Sequence, residues 1–438
     1  MPAQPVRWIV LTGLAAAATV GCGYLIFRYL APLIEWTLLT QAARPMQPWM
    51  APSLLAGFTL YLVFVVFPFL LFLFWGRLSP PPKGTAPAHW PFVSILIPAH
   101  NEQEIILDAV QSALHQCYPH FEVIVIDDGS TDLTSHLAAL TSIRLIRLER
   151  NRGKAAALNR GLEAARGEVI VTCDADSCLD SQALRHLVLH LADPGVAAVA
   201  GQVRLFHPEG WLRRCQVLEY DYGQGLIKQA QWTTTGTVLI APGPVSAFRA
   251  DVLRDVGGVP GDTLTEDFDL TLKIIGKGLR IAYEPQAVAY TEAPRTDAEL
   301  RRQRIRWARG GLQVLRKWRH LNGSRSAGLV GLFWLPYYIL TWFAALPVAV
   351  LLTAAIPLFV WGSNTPARFL ACLALYGLAA GGVEIIKIAA GALTSNWRDL
   401  RYLPNAPLFL VYRKFRLDWF PIEALYQEWR STPRNWDG

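Results

Sequence analysis

Two uncharged apolar runs near the N-terminus restrict what this chain can fold into more than any other feature. Trp8–Phe27 ("WIVLTGLAAAATVGCGYLIF") and Leu54–Trp75 ("LLAGFTLYLVFVVFPFLLFLFW") contain no Asp, Glu, Lys or Arg. Each reaches the ~20 residues a helix needs to cross a bilayer. A cleaved signal peptide is the other reading of the first run. The run is long for a signal core, however, and lacks a clean small-x-small cleavage site. Residues 1–80 are therefore expected to hold two transmembrane helices, near 8–27 and 54–75. Composition agrees: 17% of the chain is charged, against about a quarter in soluble domains.

A third apolar stretch, Ala327–Trp361, would be about 52 Å long as one helix, well beyond the ~30 Å hydrocarbon core. Pro336, Pro347 and Pro357 break it. The expectation is an interfacial helix from 321 followed by a crossing over about 336–361. A fourth crossing, about 367–392, carries Glu384 and Lys387. Three apart on one helical face, they read as a mutually neutralised pair rather than a polar pathway. The final segment, 401–438, is interrupted by Arg413, Lys414, Arg416 and Asp418, so it is expected to be amphipathic and interfacial.

Nine of the 25 residues from Arg301 to Arg325 are Arg or Lys. Placed directly before an apolar stretch, such a run suits anionic lipid on a cytoplasmic face better than nucleic acid. The six cysteines are scattered. Cys173 and Cys178 lack zinc-ligand spacing, and reduced thiols are expected.

Between about 90 and 320 the texture changes to short β-like runs alternating with helical patterns. Strands are expected at Phe92–Ile97, Phe121–Ile126, Ile143–Leu148 and Glu168–Cys173, with helices in "QEIILDAVQSALHQ" and "GKAAALNRGLEAAR". That order predicts an α/β, Rossmann-like domain with a parallel sheet covered on both faces. Ligands on such sheets sit beyond the carboxyl ends of the strands. The clusters "PAHNE", "DDGSTD" and "DADS" all fall there. A dinucleotide-binding dehydrogenase would need glycines in the first turn, and "PAHNEQE" has none. In "DADS", Asp174 and Asp176 repel each other and are comfortable only in open water or around a cation. Magnesium favours one or two carboxylates plus substrate phosphates, so the pair reads as a half-built metal site that a diphosphate completes. Three more clusters add weight: the acidic turn "TLTEDFDL" (Thr263–Leu270) with Thr265 as cap, "QRIRW" (Gln303–Trp307), and the small-residue turn "PGPVSAFR" (Pro242–Arg249).

The ordered series "DDGS", "DADS", "TED" and "QRIRW" resembles the membrane-bound, processive family 2 glycosyltransferases. The run "GDTLTEDFDL…GKGLRIAYEP…TEAP…QRIRWARGG" is most similar to the bacterial poly-β-1,6-N-acetylglucosamine synthases. The resemblance implies a GT-A-type cytosolic domain inserted between N-terminal and C-terminal transmembrane helices. It also implies a set of roles. Glu102, Asp128, Lys154, Asp174, Gln303 and Arg306 would bind the nucleotide-sugar. Asp174 and Asp176 would hold Mg²⁺ or Mn²⁺. Asp267 would be the general base, and Gly243 and Trp307 would meet the acceptor. Glu266 and Asp269 read as solvated helix acids, and Asp127 and Asp132 as turn and cap residues.

The implied activity is inverting, metal-dependent and processive extension of an extracellular β-glycan from a UDP-sugar, UDP-N-acetylglucosamine first. Other β-glycan synthases (cellulose, hyaluronan or chitin type) and a single-addition glycolipid transferase are the enzymatic alternatives. A dead scaffold or sugar-nucleotide carrier is the alternative from another class, opposed by the intact acids in all three clusters. The expected setting is the bacterial inner membrane with the catalytic domain cytoplasmic. The expected partners are the growing glycan, the bilayer and a small membrane subunit, with no nucleic acid.

Overall fold

The computed structural model describes residues 84–206, 208–344, 381–382, 384–417 and 419–430. The expected crossings at 8–27 and 54–75, and most of those at 336–361 and 367–392, lie outside them. Among the described residues, no helix is long and apolar enough to cross a membrane.

The chain divides into two compact units, one of residues 1–78 and 343–387, the other of 79–342 and 388–438. In the first unit Lys387 donates to Glu384 at 2.9 Å, as the neutralised-pair reading expects. The second unit is built on an eight-stranded sheet in the order β3-β2-β1-β4-β7-β6-β8-β5. Strands β1 (Val93–Ala99), β2 (Phe121–Asp127), β3 (Arg144–Arg147) and β4 (Val169–Thr172) fall where the sequence puts them. These four are mutually parallel. β1 and β4 are buried along their whole length, which is why they read as continuous Val/Ile runs rather than alternating ones. Helices α1 (Ile106–Leu114), α2 (Thr134–Ala139) and α3 (Lys154–Ala164) make the crossovers.

The all-parallel expectation ends at β4. There β7 (Ser246–Arg249) runs antiparallel to both β4 and β6 (Val196–Leu205). β8 (Arg280–Thr291) is parallel to β6, and β5 (Ser177–Leu179) is antiparallel to β8. The sheet is therefore mixed and GT-A-like. Helix α4 (Ala183–Val188) packs on this second half.

Chain direction makes β1 and β4 the switch point: β2 and β3 extend to one side of β1, and β4 to the other. A crevice forms above the strand ends at such a point. Beyond it a helical rod runs through α5 (Gly210–Tyr220), a π-helical stretch (Asp221–Ile227) and α6 (Lys228–Thr235). After α7 (Ala250–Asp255) come α8 (Glu266–Gly276) and the long α9 (Asp297–Lys317). Thr296 caps α9 by accepting from Glu299 N, while the Glu299 carboxylate accepts from Arg295 N, a reciprocal arrangement close to a capping box.

The C-terminal segment belongs to the same unit. Phe409, Tyr412 and Phe420 join Cys215, Leu218, Leu300 and Ile305 in one buried cluster. Glu428 accepts from Arg309 at 2.7 Å and from Gln313 at 2.9 Å. The outer side of this region stays apolar and exposed, with Trp419 at 50% and Trp429 at 80%.

Candidate active site

The site is assembled from the chain immediately after three strands and from the first turn of α8. After β1, the "HNEQ" turn is tied to the turn after β2. Asn101 adopts a left-handed φ of 56°, which Asn tolerates better than most residues. Its Oδ1 accepts from Thr131 N at 2.9 Å, its N donates to Ser130 Oγ, and Glu102 N donates to Thr134 Oγ1 at 2.7 Å. Asp132 accepts from Thr134 N and Gln103 N, and Asp127 accepts from Ser130 N. Both are turn residues, as the sequence suggests.

Asp128 is buried, and its two oxygens accept from Arg152 N (2.8 Å) and Gly153 N (2.7 Å). Gly153 has φ 88° and ψ 155°, a combination open essentially to glycine alone. This turn starts α3 and points Lys154 at the acids. Lys154 Nζ lies 2.6 Å from Asp174 Oδ1 and 3.2 Å from Glu266 Oε1. Burial alone would lower the lysine's pKa, but the carboxylates of Asp174, Glu266 and Asp267 reverse this and raise it. Lys154 is thus the central cation of the ligand-free site.

Asp174 and Asp176 follow β4. Asp176 Oδ1 accepts from Ser177 Oγ at 2.9 Å and from Thr291 Oγ1 at 3.4 Å, an alignment set by the β5–β8 pairing of Ser177 with Thr291. Burial and then Asp174 push the Asp176 carboxyl up. Glu102 is raised to about 7 by burial and then by Asp176, Asp174 and Asp132. Both shifts have the same origin: burial, and then the crowding of acidic side chains in this part of the site, disfavours the charged form.

A divalent cation suits this arrangement. The donors are hard oxygens, which Mg²⁺ and Mn²⁺ prefer. Among the described residues no three His, Cys, Asp or Glu side chains gather into a group that could hold a metal ion by itself. Gly243 keeps the space open. A Cβ there would lie 2.6 Å from Lys154 Nζ and 3.1 Å from both Asp174 oxygens. Gly243→Ala should therefore push Lys154 off Asp174 and lower transfer by about 10²-fold through misplacement. Lysine ends are flexible, so stability should change by less than about 1 kcal/mol. Turnover and thermal melting measured together check this, and unchanged turnover refutes it.

Asp267 sits in the first turn of α8, with Phe268 N donating to its Oδ1 at 2.7 Å. Burial and then the neighbouring Glu266 raise it to about 6, against the pull of Lys154 and the Phe268 amide. Thr265 occupies the N-cap position but makes no side-chain cap bond. Its side chain instead packs against Gly310 of α9, where a Cβ would lie 2.5 Å away.

Two sequence readings in this turn are corrected. Glu266 is 5% exposed and paired with Lys154, and Asp269 is 0% exposed. Neither is a solvated helix acid. Asp269 accepts from Lys317 Nζ (2.8 Å), Trp318 Nε1 (2.7 Å) and Thr263 Oγ1 (3.0 Å). The helical period cannot reveal this, because Lys317 and Trp318 come from the far end of α9 and Thr263 from the turn before α8.

On α9, Gln303, Arg306, Trp307 and Gly310 share one face at helical spacing. Gly310 meets Thr265, so this is the face turned to the start of α8. Gln303 accepts a hydrogen bond from Arg304. Among the described residues Arg306 has no ion-pair partner, leaving its guanidinium available. The ring of Trp307 lies under the Arg304 guanidinium at 4.2 Å. Arg304 is 2% exposed and grips Glu219 through two 3.0 Å bonds. The first arginine of "QRIRW", Arg304, is thus a buried strut that stacks on Trp307, a role not visible in the motif.

Residues 94–257 match the sequence profile of glycosyl transferase family 2. The chain carries a family 2 glycosyltransferase domain. The poly-beta-1,6-N-acetyl-D-glucosamine synthase of Staphylococcus epidermidis is 34% identical over 228 residues, covering 51% of this chain and 55% of that protein. The enzyme of the same name from Staphylococcus aureus is 35% identical over the same extent. The chain spans about half the length of these curated relatives. Among solved structures, the mannosyltransferase PcManGT from Pyrobaculum calidifontis, in complex with GDP-Man and Mn²⁺, superposes with a TM-score of 0.58 at 25% identity. It covers 78% of this chain and 98% of its own. The profile ends at 257, so α8 and α9 lie beyond it.

Proposed function

We propose that this protein is an inverting, metal-dependent β-glycosyltransferase that extends a glycan from UDP-N-acetylglucosamine, in the manner the names of its staphylococcal relatives suggest. The observation that carries the reading is Asp267. It is a carboxylate at a helix start, raised to about 6, facing the Lys154–Asp174 pair and lying across from the Trp307 face of α9. A sugar hydroxyl is a weak nucleophile, so its proton must be taken as it attacks the anomeric carbon. Asp267 takes that proton. UDP leaves from the opposite face, where Lys154 and Arg306 counter the charge and Gln303 offers hydrogen bonds. Arg suits a diphosphate because it binds phosphate oxygens bidentately. A cation held by Asp174 and Asp176, with Glu102 near, would supply Lewis-acid neutralisation of the leaving diphosphate. One acid on the acceptor side, with none required as nucleophile, gives inversion from an α-linked donor to a β-linked product.

EDTA should abolish transfer, and Mg²⁺ or Mn²⁺ should restore it. Full turnover in chelator, measured as UDP release, overturns the metal assignment. The exposed Trp419, Trp429, Leu329 and Leu332 support seating of this domain on lipid, with the catalytic face in the cytoplasm of a bacterium where UDP-sugars are made. A small membrane subunit as partner belongs to the same reading. Cys117 is exposed whereas Cys215 is buried, so Cys117 is the thiol that reports this orientation by impermeant labelling of intact cells.

A second reading is single sugar addition to a glycolipid: PcManGT, named as a mannosyltransferase and not as a polymer synthase, matches over 78% of this chain against 51% for the staphylococcal synthases. Product length from purified membranes given UDP-N-acetylglucosamine separates the two.

A further inference from the structure

The first arginine of "QRIRW" is held by residues that lie outside the motif. Arg304, on α9, donates through Nε and Nη2 to the two oxygens of Glu219 on α5, both at 3.0 Å. Glu219 Oε2 also accepts from the hydroxyl of Tyr412 at 2.5 Å. Tyr412 is the last residue of α10 (Ala406–Tyr412). It is buried in one apolar cluster with Leu218, Ile305 and Phe409, and that packing fixes where its hydroxyl points. Three helices far apart in the chain thus converge on one guanidinium.

The same guanidinium touches two further side chains of the motif. Its Nη1 donates to Gln303 Oε1, and its central carbon lies 4.2 Å from the centroid of the Trp307 ring. Arginine has donors only, so the first contact takes the carbonyl end of the Gln303 amide and leaves the NH₂ end to donate elsewhere. A buried ion pair adds little net stability, because desolvation offsets the attraction. What a planar, two-bonded grip does supply is direction.

We propose that Glu219 and Tyr412 are positioning residues for the acceptor platform. Glu219 fixes the plane of the Arg304 guanidinium, Tyr412 fixes Glu219, and the Trp307 ring takes its orientation from that plane. Neither residue touches the reacting atoms. The proposal rests on the glycan-extension reading, in which Trp307 meets the acceptor, and adds the residues that set the geometry of that contact. A stacking ring works only when its face is presented to the sugar, and a small misplacement far from the chemistry is costly.

The test uses the full chain in lipid nanodiscs with UDP present and reads equilibrium binding of a β-1,6-linked N-acetylglucosamine pentasaccharide. Glu219→Gln leaves one acceptor oxygen and sets an NH₂ against the guanidinium, so binding should weaken by about tenfold or more. Tyr412→Phe keeps the packed ring and loses one hydrogen bond, so binding should weaken by about three- to tenfold. This milder variant remains informative if Glu219→Gln misfolds. UDP affinity should change in neither, because Asp128, Lys154 and Arg306 lie outside the clamp. Each change is then repeated on Trp307→Ala. With the ring gone there is nothing left to orient, so neither should weaken binding further, whereas independent effects would add. Binding that survives Tyr412→Phe intact overturns the proposal, as do losses that persist in full beside Trp307→Ala, the result that structural support alone predicts. The absence of pentasaccharide binding by the wild type also overturns it. Donor turnover by the wild type is read separately as UDP released from UDP-N-acetylglucosamine. Its absence beside intact pentasaccharide binding rejects the donor reading and leaves the clamp standing.

Discussion

Asp267→Asn should lower transfer by ~10²–10⁴-fold, the usual cost of losing a general base, while UDP still binds. Asparagine keeps the shape and the hydrogen bond from Phe268 N but cannot take the acceptor's proton. The donor-side groups, Lys154, Asp174, Asp176 and Arg306, are untouched. The same residue sets a pH dependence. Its carboxyl is raised from 3.8 to about 6 by burial and Glu266, so kcat/KM should climb as pH rises through about 6 and level off above it. The stability effect has the opposite sign. A folded-state pKa above the unfolded one means that the stabilising protonated form is complete below about pH 4 and is lost as pH rises through 6. At neutral pH the ionised base therefore costs stability, and Asp267→Asn should melt at a slightly higher temperature than the wild type. Near-normal turnover in this variant would remove Asp267 from the mechanism.

The second large effect falls two residues further on. Asp269→Asn should destabilise the domain by about 2–3 kcal/mol. Breaking a buried ion pair typically costs ~3–5 kcal/mol, and the partner Lys317, with its side chain 31% exposed, recovers part of that from water. The carboxylate joins Lys317, Trp318 and Thr263 at full burial, and an amide cannot serve as acceptor to all three. Thermal melting of both variants separates the roles. Asp267→Asn should lose turnover and melt slightly above the wild type, whereas Asp269→Asn should lose several degrees. An Asp269→Asn protein that melts with the wild type would mean that this cluster contributes nothing to the fold.

Much of the candidate site could be marked out in advance because its acidic turns are local. Asp174 and Asp176 belong to one turn, and their closeness is legible from the sequence alone. The four strands β1–β4 were legible because fully buried parallel strands leave continuous Val/Ile runs between turn residues. The second half of the sheet was not. β7 is four residues long, and its antiparallel direction depends on pairings with β4 and β6 that no local pattern encodes.

The sequence by itself determined the strand–helix alternation, the acidic turns at the strand ends, and the candidate residues for base, metal and phosphate. Side-chain type and short-range spacing carry that information. Tertiary structure alone decided which acids gather beside Lys154 and which are locked into the packing of the helices. Glu266 and Asp269 flank Asp267 in one helical turn and look alike in the sequence. Their roles follow from partners far along the chain: Lys154, 112 positions before Glu266, and Lys317, 48 positions after Asp269. Burial next to a particular partner, not residue type, sets where a carboxylate's proton goes, and burial is fixed only when the helices pack.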